Sequence, residues 1–593
     1  MPTDDTTRRA PRHRPARAAA GHRRLRRLFW LLLGVGVVGW LAVVALKLDH
    51  AVRSLERGVN AVDVVKGELT TQDLADGRAG DQLTVAHGDF AAAHADIHNA
   101  WTAPLRILPW VGRQVRSADA LAAAADTVTG AGGVTLADAH RLLNQAHQTG
   151  PERAALLGSL HSSLVTLQGR LATVSLGPTQ ALLPVLADKR NTFADDLGRL
   201  EAGLTKATGA TGALSQLLSG THTYLVLGTN NAEMRDGSGM ALEAGTLQVS
   251  GGQLTFGTLQ PTDQLASATA LAPPTGDLQA RWGFMQPGAD YRDLLLSPQF
   301  PQNAALAAAM WKAQTGQQVD GVIAVDVDFV KALLGVTGPV SAGGITVSAA
   351  SVEQQLLVDQ YAGLSDSQAA NAARHEQLGL LAGEVFTAVQ APGTSLPQLA
   401  TAFDEAANGR HVLLWSSDPA VQSDWHAAGV DGQLRPDDML LGLSNAAGNK
   451  LDPDQQVNAS VTTAPHGADT LVTVSVTVTN RAPASAPSYA AGGVFFPPGV
   501  YNGFLSLEFP SAAQAAGATG PTGLVAVGPD SGAQVMAVAV RIAPGGSQSA
   551  VFHFLVSGRH GTLRVAPSAR LPAVAWTATG TSFTDSTAHE VGW

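Results

Sequence analysis

The densest group of residues able to do chemistry is the run Thr229-Asn230-Asn231-Ala232-Glu233-Met234-Arg235-Asp236-Gly237-Ser238-Gly239. Asn230, Asn231 and the glycines expose backbone N–H groups, and the Arg235 guanidinium is a forked donor that matches phosphate oxygens. Glu233 or Asp236 could hold a divalent cation through hard oxygen ligands, and Asp236 is the candidate metal ligand. The same residue types also build turns and caps that do no more than fix a loop. Two further cations join the binding candidates. Arg292 lies between Asp290 and Asp293, where a solvated loop is the ordinary reading. Arg374 precedes the apolar stretch Leu378–Phe386, where a surface ion pair is the ordinary role. Asp326 and Asp328 flank the end of one element and the start of the next, a place for helix caps rather than catalysts. No residue is assigned as catalytic.

Other motifs fall away on context. There is no GxxxxGK[ST] phosphate loop, and the one GxGxxG match, Gly34 to Gly39, lies inside an uncharged run. Gly237-Ser238-Gly239 lacks the spacing of a nucleophile elbow, and His375-Glu376 lacks the second histidine of a zinc motif. His87, His94 and His98 can share a helical face, with His94 and His98 at metal-ligand spacing. Without a nearby glutamate base they read as solvated histidines. The chain has no cysteine, which removes disulfides, thiolate nucleophiles and zinc–thiolate sites.

The elements that must position these residues follow from periodicity. Leu28–Leu46 is an uncharged apolar run, at helical rise roughly 28 Å long and close to the hydrocarbon thickness of a bilayer. Nine arginines precede it against Asp4 and Asp5, so the positive-inside rule places the N-terminus in the cytoplasm. A cleaved signal peptide would have a shorter apolar core and a small-x-small site, whereas Ala42-Val43-Val44-Ala45 has the wrong spacing. The tail accounts for a charge of +7 and leaves −17 for the rest. That acidic remainder excludes nucleic acid as its partner.

Beyond the run, Leu157, Leu160, Leu164, Leu167 and Leu171 form a three-and-four stripe suited to a coiled helical stalk. Tyr224–Leu227 reads as a buried strand. Leu247 and Val249, then Gly251-Gly252, then Leu254 and Phe256 read as a hairpin. Helices are expected at Asn303–Gln314, at Val327–Leu334 and from Ser351, where Ser351 and Gln354 form a capping-box pattern. After Asp452-Pro453 strict alternation begins, as in Val472, Val474, Val476 and Val478, with Gly/Pro turns as in a β-sandwich. The expected architecture is multidomain α+β. It comprises a disordered basic tail (1–27), a transmembrane helix (28–47), a helical stalk (48–220), an α/β domain (221–452) and a β-sandwich (453–593).

Three stretches carry a resemblance: YLVLGTNNAEMRDGSGM (Tyr224–Met240), SPQFPQNAALAAAMWKAQTGQQVDGVIAVDVDFVKALLGVTGPV (Ser297–Val340) and LLWSSDPAVQSDW (Leu413–Trp425). Together with Leu108–Gln114 and Asn449–Asp452 they resemble the bacterial domain of unknown function 4012. One departure is Asp236-Gly237-Ser238-Gly239, where relatives usually carry a glycine pair after the arginine. The segment Asn303–Val340 is more distantly similar to LytR–CpsA–Psr proteins, membrane-anchored enzymes that move glycopolymers from polyprenyl-pyrophosphate carriers onto peptidoglycan. That likeness implies pyrophosphate-binding roles for Arg235 and Arg374 and a carboxylate role for Asp236, although the arginine–serine–aspartate run of those enzymes is not intact.

Two functions follow as expectations. One is a non-catalytic envelope protein, single-pass in the cell membrane with its bulk outside, that binds a polyprenyl-linked glycan, a cell-wall polymer or a partner. The other is a Mg²⁺-dependent phosphotransferase acting on a polyprenyl diphosphate.

Overall fold

A computed structural model describes residues 19–68, 77–143, 149–364, 368–492 and 495–593. The protein is mixed α and β, and it divides into two compact units. One is Met1–Ala137 with Gly169–Leu200, and the other is Asp138–Gln168 with Glu201–Trp593. The expected disordered tail lies mostly outside the described residues, and from Ala19 the chain is already helical.

In the first unit a single helix, α1 (Ala19–Glu68), carries the uncharged run and continues well past it. Past Lys47 its apolar positions find protein partners. Ala51 and Leu55 pack with Ala93 and Ile97 of α2 (Arg78–Ile97) and with Val115 and Ala122 of α3 (Val111–Leu143). Ion pairs Lys47–Asp96 (2.6 Å) and Arg57–Asp89 (2.9 Å) fix α1 against α2. Among the described residues two helices are long and apolar enough to cross a membrane, Leu33–Val65 and Val111–Leu142, and only 11 % of the first's most apolar stretch is buried against 39 % of the second's. The second is thus more covered by protein than the first. Leu33, Val35, Val38 and Leu41 on the first face outward.

The expected stalk over 48–220 is not one body. Helices α4 (Gly150–Leu171) and α5 (Pro184–Leu218) each run across the division between the units. Within the second unit, α4 meets the later half of α5 through His161 Nδ1 and the Thr208 carbonyl (3.0 Å). Pro184 opens α5 rather than merely ending what precedes it, because its missing N–H costs nothing in a first turn.

The second unit begins with a mixed sheet. Its centre is β1 (Thr221–Asn230), antiparallel to β2 (Met240–Ser250), which continues into β3 (Gln253–Phe256). The Gly251-Gly252 turn has φ of 53° and 83°, as the hairpin reading requires. On its other side β1 is parallel to β4 (Gly321–Val325), which is antiparallel to β5 (Val412–Ser416). Helices α6 (Phe300–Thr315), α7 (Val327–Thr337), α8 (Gln368–Gln390) and α9 (Leu396–Asn408) belong to the same unit. Asp326 caps α7, accepting from the N–H groups of Asp328 (3.0 Å) and Phe329 (3.2 Å). The capping box at Ser351 does not form. The Ser351 hydroxyl turns back to accept from the Ser348 N–H at 3.1 Å, leaving the helix Val352–Leu357 without a side-chain cap.

Two six-stranded sheets follow, and their inward residues form one core. Val472, Val474, Val476 and Val478 alternate inward on one sheet, facing Leu505, Leu507, Val538 and Val540 of the other. No structural break falls at residue 452. Strand β6 (Asp438–Asn445) precedes it yet pairs with Tyr501–Pro510 and with Thr562–Val565. Leu225, Phe300 and Leu413 of the mixed-sheet region share a cluster with Val535 and Ala537 of the sandwich. Mixed sheet and sandwich should therefore unfold together. Leu413→Ala, at a site 1 % exposed, should cost about 2–5 kcal/mol in one transition. Reporters placed in both regions of the full chain should melt at the same lowered temperature.

Candidate functional site

Two cavities meet beside the sheet. The first, about 960 Å³, is overwhelmingly apolar. Its walls are Val226 and Ile323 from β1 and β4, Phe329 and Leu333 from α7, Leu381 and Phe386 from α8, and Leu399 and Phe403 from α9. The lining residues of each helix recur at helical spacing, as in Phe329 and Leu333, Leu378, Leu381 and Val385, and Leu396, Leu399 and Phe403, so each turns one apolar face to the space. The second cavity, about 1140 Å³, is lined by Glu233, Arg235, Asp290, Arg292, Asp293, His375, Lys450 and Tyr489 among others. Leu242 and Arg374 line both cavities, so the polar space begins where the apolar one ends.

Arg374 is the distinctive charge. It is 7 % exposed, and its guanidinium donates to Asn371 Oδ1 (3.1 Å) and Gln360 Oε1 (3.4 Å) and lies 2.9 Å from His375 Nε2. It sits 5.9 Å from the centre of the Tyr361 ring, in reach of its π face. Among the described residues no carboxylate lies at ion-pair distance from it. An acid stands one step away, since Glu243 engages His375 through Nδ1. Tyr361 stacks on Tyr489, and Lys450 Nζ lies 5.9 and 5.8 Å from the two ring centres.

The structure sorts the residues singled out from sequence. Glu233, Arg235, Arg292 and Arg374 gather on the polar cavity, and Asn230 lines the apolar one, where its side chain donates to the Tyr361 hydroxyl at 2.7 Å. Asn231 and Asp236 line neither. Asn231 donates to Asp326 Oδ2 (2.8 Å) and the Ala569 carbonyl (3.0 Å), holding the loop to its surroundings. Arg235 is a brace as much as a donor. It is buried, donates to the Met234 and Asn445 carbonyls and pairs with Asp293 at 3.3 Å. Burial pushes its pKa down, opposed by Asp293 and Asp452. Arg292 is forked onto Asp290 at 2.6 Å.

Asp236 is placed against a metal role. Its carboxylate accepts from Ser444 Oγ (2.8 Å) and Ser506 Oγ, and a side chain on Gly442 would collide with it. Burial pushes its pKa up to about 6, against the pull of the two serines and of Arg570 and Arg235. The cavity's own acids do not fit a divalent ion either. Glu233 pairs with Lys450, Asp290 with Arg292 and Asp293 with Arg235, so three of the four carboxylates are held by cations. Among the described residues the trio at ligand spacing is His94, His98 and Asp119, in the other unit. Asp119 came from α3, outside the sequence pattern, and it already pairs with Arg106 at 3.0 Å.

His375, Lys450, Tyr361 and Tyr489 were missed as site residues. They are distant in sequence and carry no shared motif, so nothing short of the fold brings them together.

Residues 219–361 match the family model of a protein of unknown function (DUF4012). The match bears out that resemblance and spans the sheet from β1 through β4 and α7, including Asn230, Arg235 and Arg292 but not Arg374 or Lys450. No curated protein and no solved structure matches the chain. The matched segment thus supplies part of the wall of each cavity; α4, α5 and later elements complete the apolar one, and later elements the polar one.

Two outcomes follow. Raised from 3.8 to about 6, Asp236 holds its proton more tightly folded than unfolded, so its contribution is present below pH 3.8 and lost as pH rises through about 6. The stability of the native chain relative to Asp236→Asn should fall by about 3 kcal/mol between pH 3.5 and 7, read by denaturant unfolding. Ser238 adopts a φ of 91°, which costs about 1 kcal/mol or more for a residue with a side chain. Ser238→Gly should raise the melting temperature.

Proposed function

We propose that this chain is a membrane-anchored envelope protein that binds, without turning over, a lipid-linked glycan. The ligand's apolar chain lies in the cavity under α8 and α9, and its anionic head lies in the adjoining polar cavity. The observation that carries this reading is Arg374, a nearly buried guanidinium without an acidic partner at the junction of the two spaces. Such a charge is stabilised by an anion, and a diphosphate offers the oxygens a guanidinium matches best. The apolar wall rules for an acyl or polyprenyl tail over a bare sugar, since a free glycan leaves so much apolar surface unmet. The uncharged, outward-facing stretch of α1 supports the anchor, and the arginine-rich N-terminus supports a single pass with that end in the cytoplasm. The bulk would then stand outside, where lipid-linked precursors are met.

The transferase reading, with its likeness to LytR–CpsA–Psr proteins, draws on the gathering of Arg235, Arg292 and Arg374 around one cavity. It is less favoured because three of the polar cavity's four carboxylates are engaged by cations, leaving among the described residues no set of hard ligands converging on a Mg²⁺ position there.

Native mass spectrometry of the full chain in detergent with a polyprenyl diphosphate tests both. Binding should persist in EDTA. Arg374→Ala should weaken it about tenfold or more, the cost of a lost charge-assisted hydrogen bond. Leu381→Trp, which narrows the apolar cavity, should weaken binding while circular dichroism stays native. Mg²⁺-dependent release of phosphate would instead favour the transferase. Equal binding by native protein and both variants would sink the site.

A further inference from the structure

Resting on the anchor reading above, we propose that the turn between α2 and α3, with the segment leading into α5, is a second bilayer contact. It forms an apolar foot inserted into the outer headgroup layer beside α1. Six large apolar side chains gather at this end of the helical unit: Trp101, Ile107, Leu108, Trp110, Leu183 and Val185. All are exposed, Ile107 by 83 % and Val185 by 73 %. Gln114 joins the two segments, donating through Nε2 to the Ala181 carbonyl and accepting from the Leu183 N–H, both at 2.9 Å. A turn facing water ordinarily carries polar residues, and an exposed patch of this kind marks an interaction surface.

The occupant follows from depth. The indole Nε1 of Trp40 donates to the Trp101 carbonyl at 2.9 Å, which fixes the turn to α1 at that level. Trp40 lies inside the uncharged run, roughly 10 Å along the helix from Lys47 toward the N-terminus. If α1 crosses a bilayer, Trp101 therefore lies level with lipid-facing surface. Indoles are favoured at the headgroup boundary, and a shallow apolar element enters it by about 5–10 Å. Arg113 and Arg116 are exposed just behind the turn, and Arg116 also donates to the Arg106 carbonyl at 2.7 Å. Cations there suit anionic headgroups. The turn would hold the helical unit upright on its anchor, because one helix alone leaves it free to swing.

The chain's lack of cysteine makes single labels unique. The full chain is reconstituted in phosphatidylcholine–phosphatidylglycerol vesicles carrying a doxyl-quencher lipid, with an environment-sensitive fluorophore on Val38→Cys, Ile107→Cys, Trp110→Cys or Val134→Cys. Val134 is exposed on α3, roughly 35 Å along the helix from Val111. The labels at 107 and 110 should be quenched severalfold more than the label at 134. Quenching at 38 without quenching at 107 and 110 overturns the foot and leaves the anchor standing. No quenching at 38 overturns the anchor, and the foot with it. Shielding at 107 that needs protein concentration rather than lipid overturns the foot in favour of a second copy.

Discussion

A carboxylate shut away from water must be met by donors on the protein, and Asp452 is where that requirement organises the second unit. It has no exposed surface. It accepts from the Met234 N–H (3.0 Å), Asn445 Nδ2 (2.9 Å), the Tyr501 hydroxyl (3.0 Å) and the Arg570 guanidinium (3.0 Å). Those donors come from the loop after β1, from β6 and from two sandwich strands or their connections. An unpaired buried charge would cost several kcal/mol, so none of these elements can drift without the others. The loop that looked most like a flexible ligand clamp is thereby a fixed joint.

That fixity changes which residues can act. Arg235 and Asp236 are consumed in holding the joint, one by carbonyls and Asp293, the other by two serine hydroxyls. Beside the loop the chain leaves a large apolar space next to a polar one. Arg374 sits on the seam with no carboxylate among its direct contacts in the described residues. Lys450, buried beside Glu233 and two tyrosine rings, has its pKa pushed down by that burial, which further separates it from an ordinary surface lysine.

The helical unit obeys a simpler rule. Where α1 has protein around it, its apolar positions meet α2 and α3. Where it has none, they face outward over a stretch without charge. A long apolar helix in two such environments is satisfied only if something other than water covers the outward part. The same reasoning extends to the turn that Trp40 touches.

By itself the sequence determined whatever depends on local pattern. The apolar run, the strand at Tyr224–Leu227, the Gly251-Gly252 hairpin, the Asp326 cap and the alternating valines of the sandwich are each set by nearest neighbours, burial period or backbone freedom. It also picked out the three arginines of the polar cavity, Arg235 and Arg292 because clustered polar and charged residues are visible along a chain and Arg374 through a family resemblance. Only the tertiary structure decided which charges remain available. Whether a charged group is engaged can depend on residues about two hundred positions away, as Arg235 meets the Asn445 carbonyl and Glu233 meets Lys450. Ser351 shows the same limit at short range, where one hydroxyl had two nearby N–H groups to choose from and the fold chose the one behind it. A cavity is a property of packing, the space that several helices fail to fill together, and no single segment encodes it.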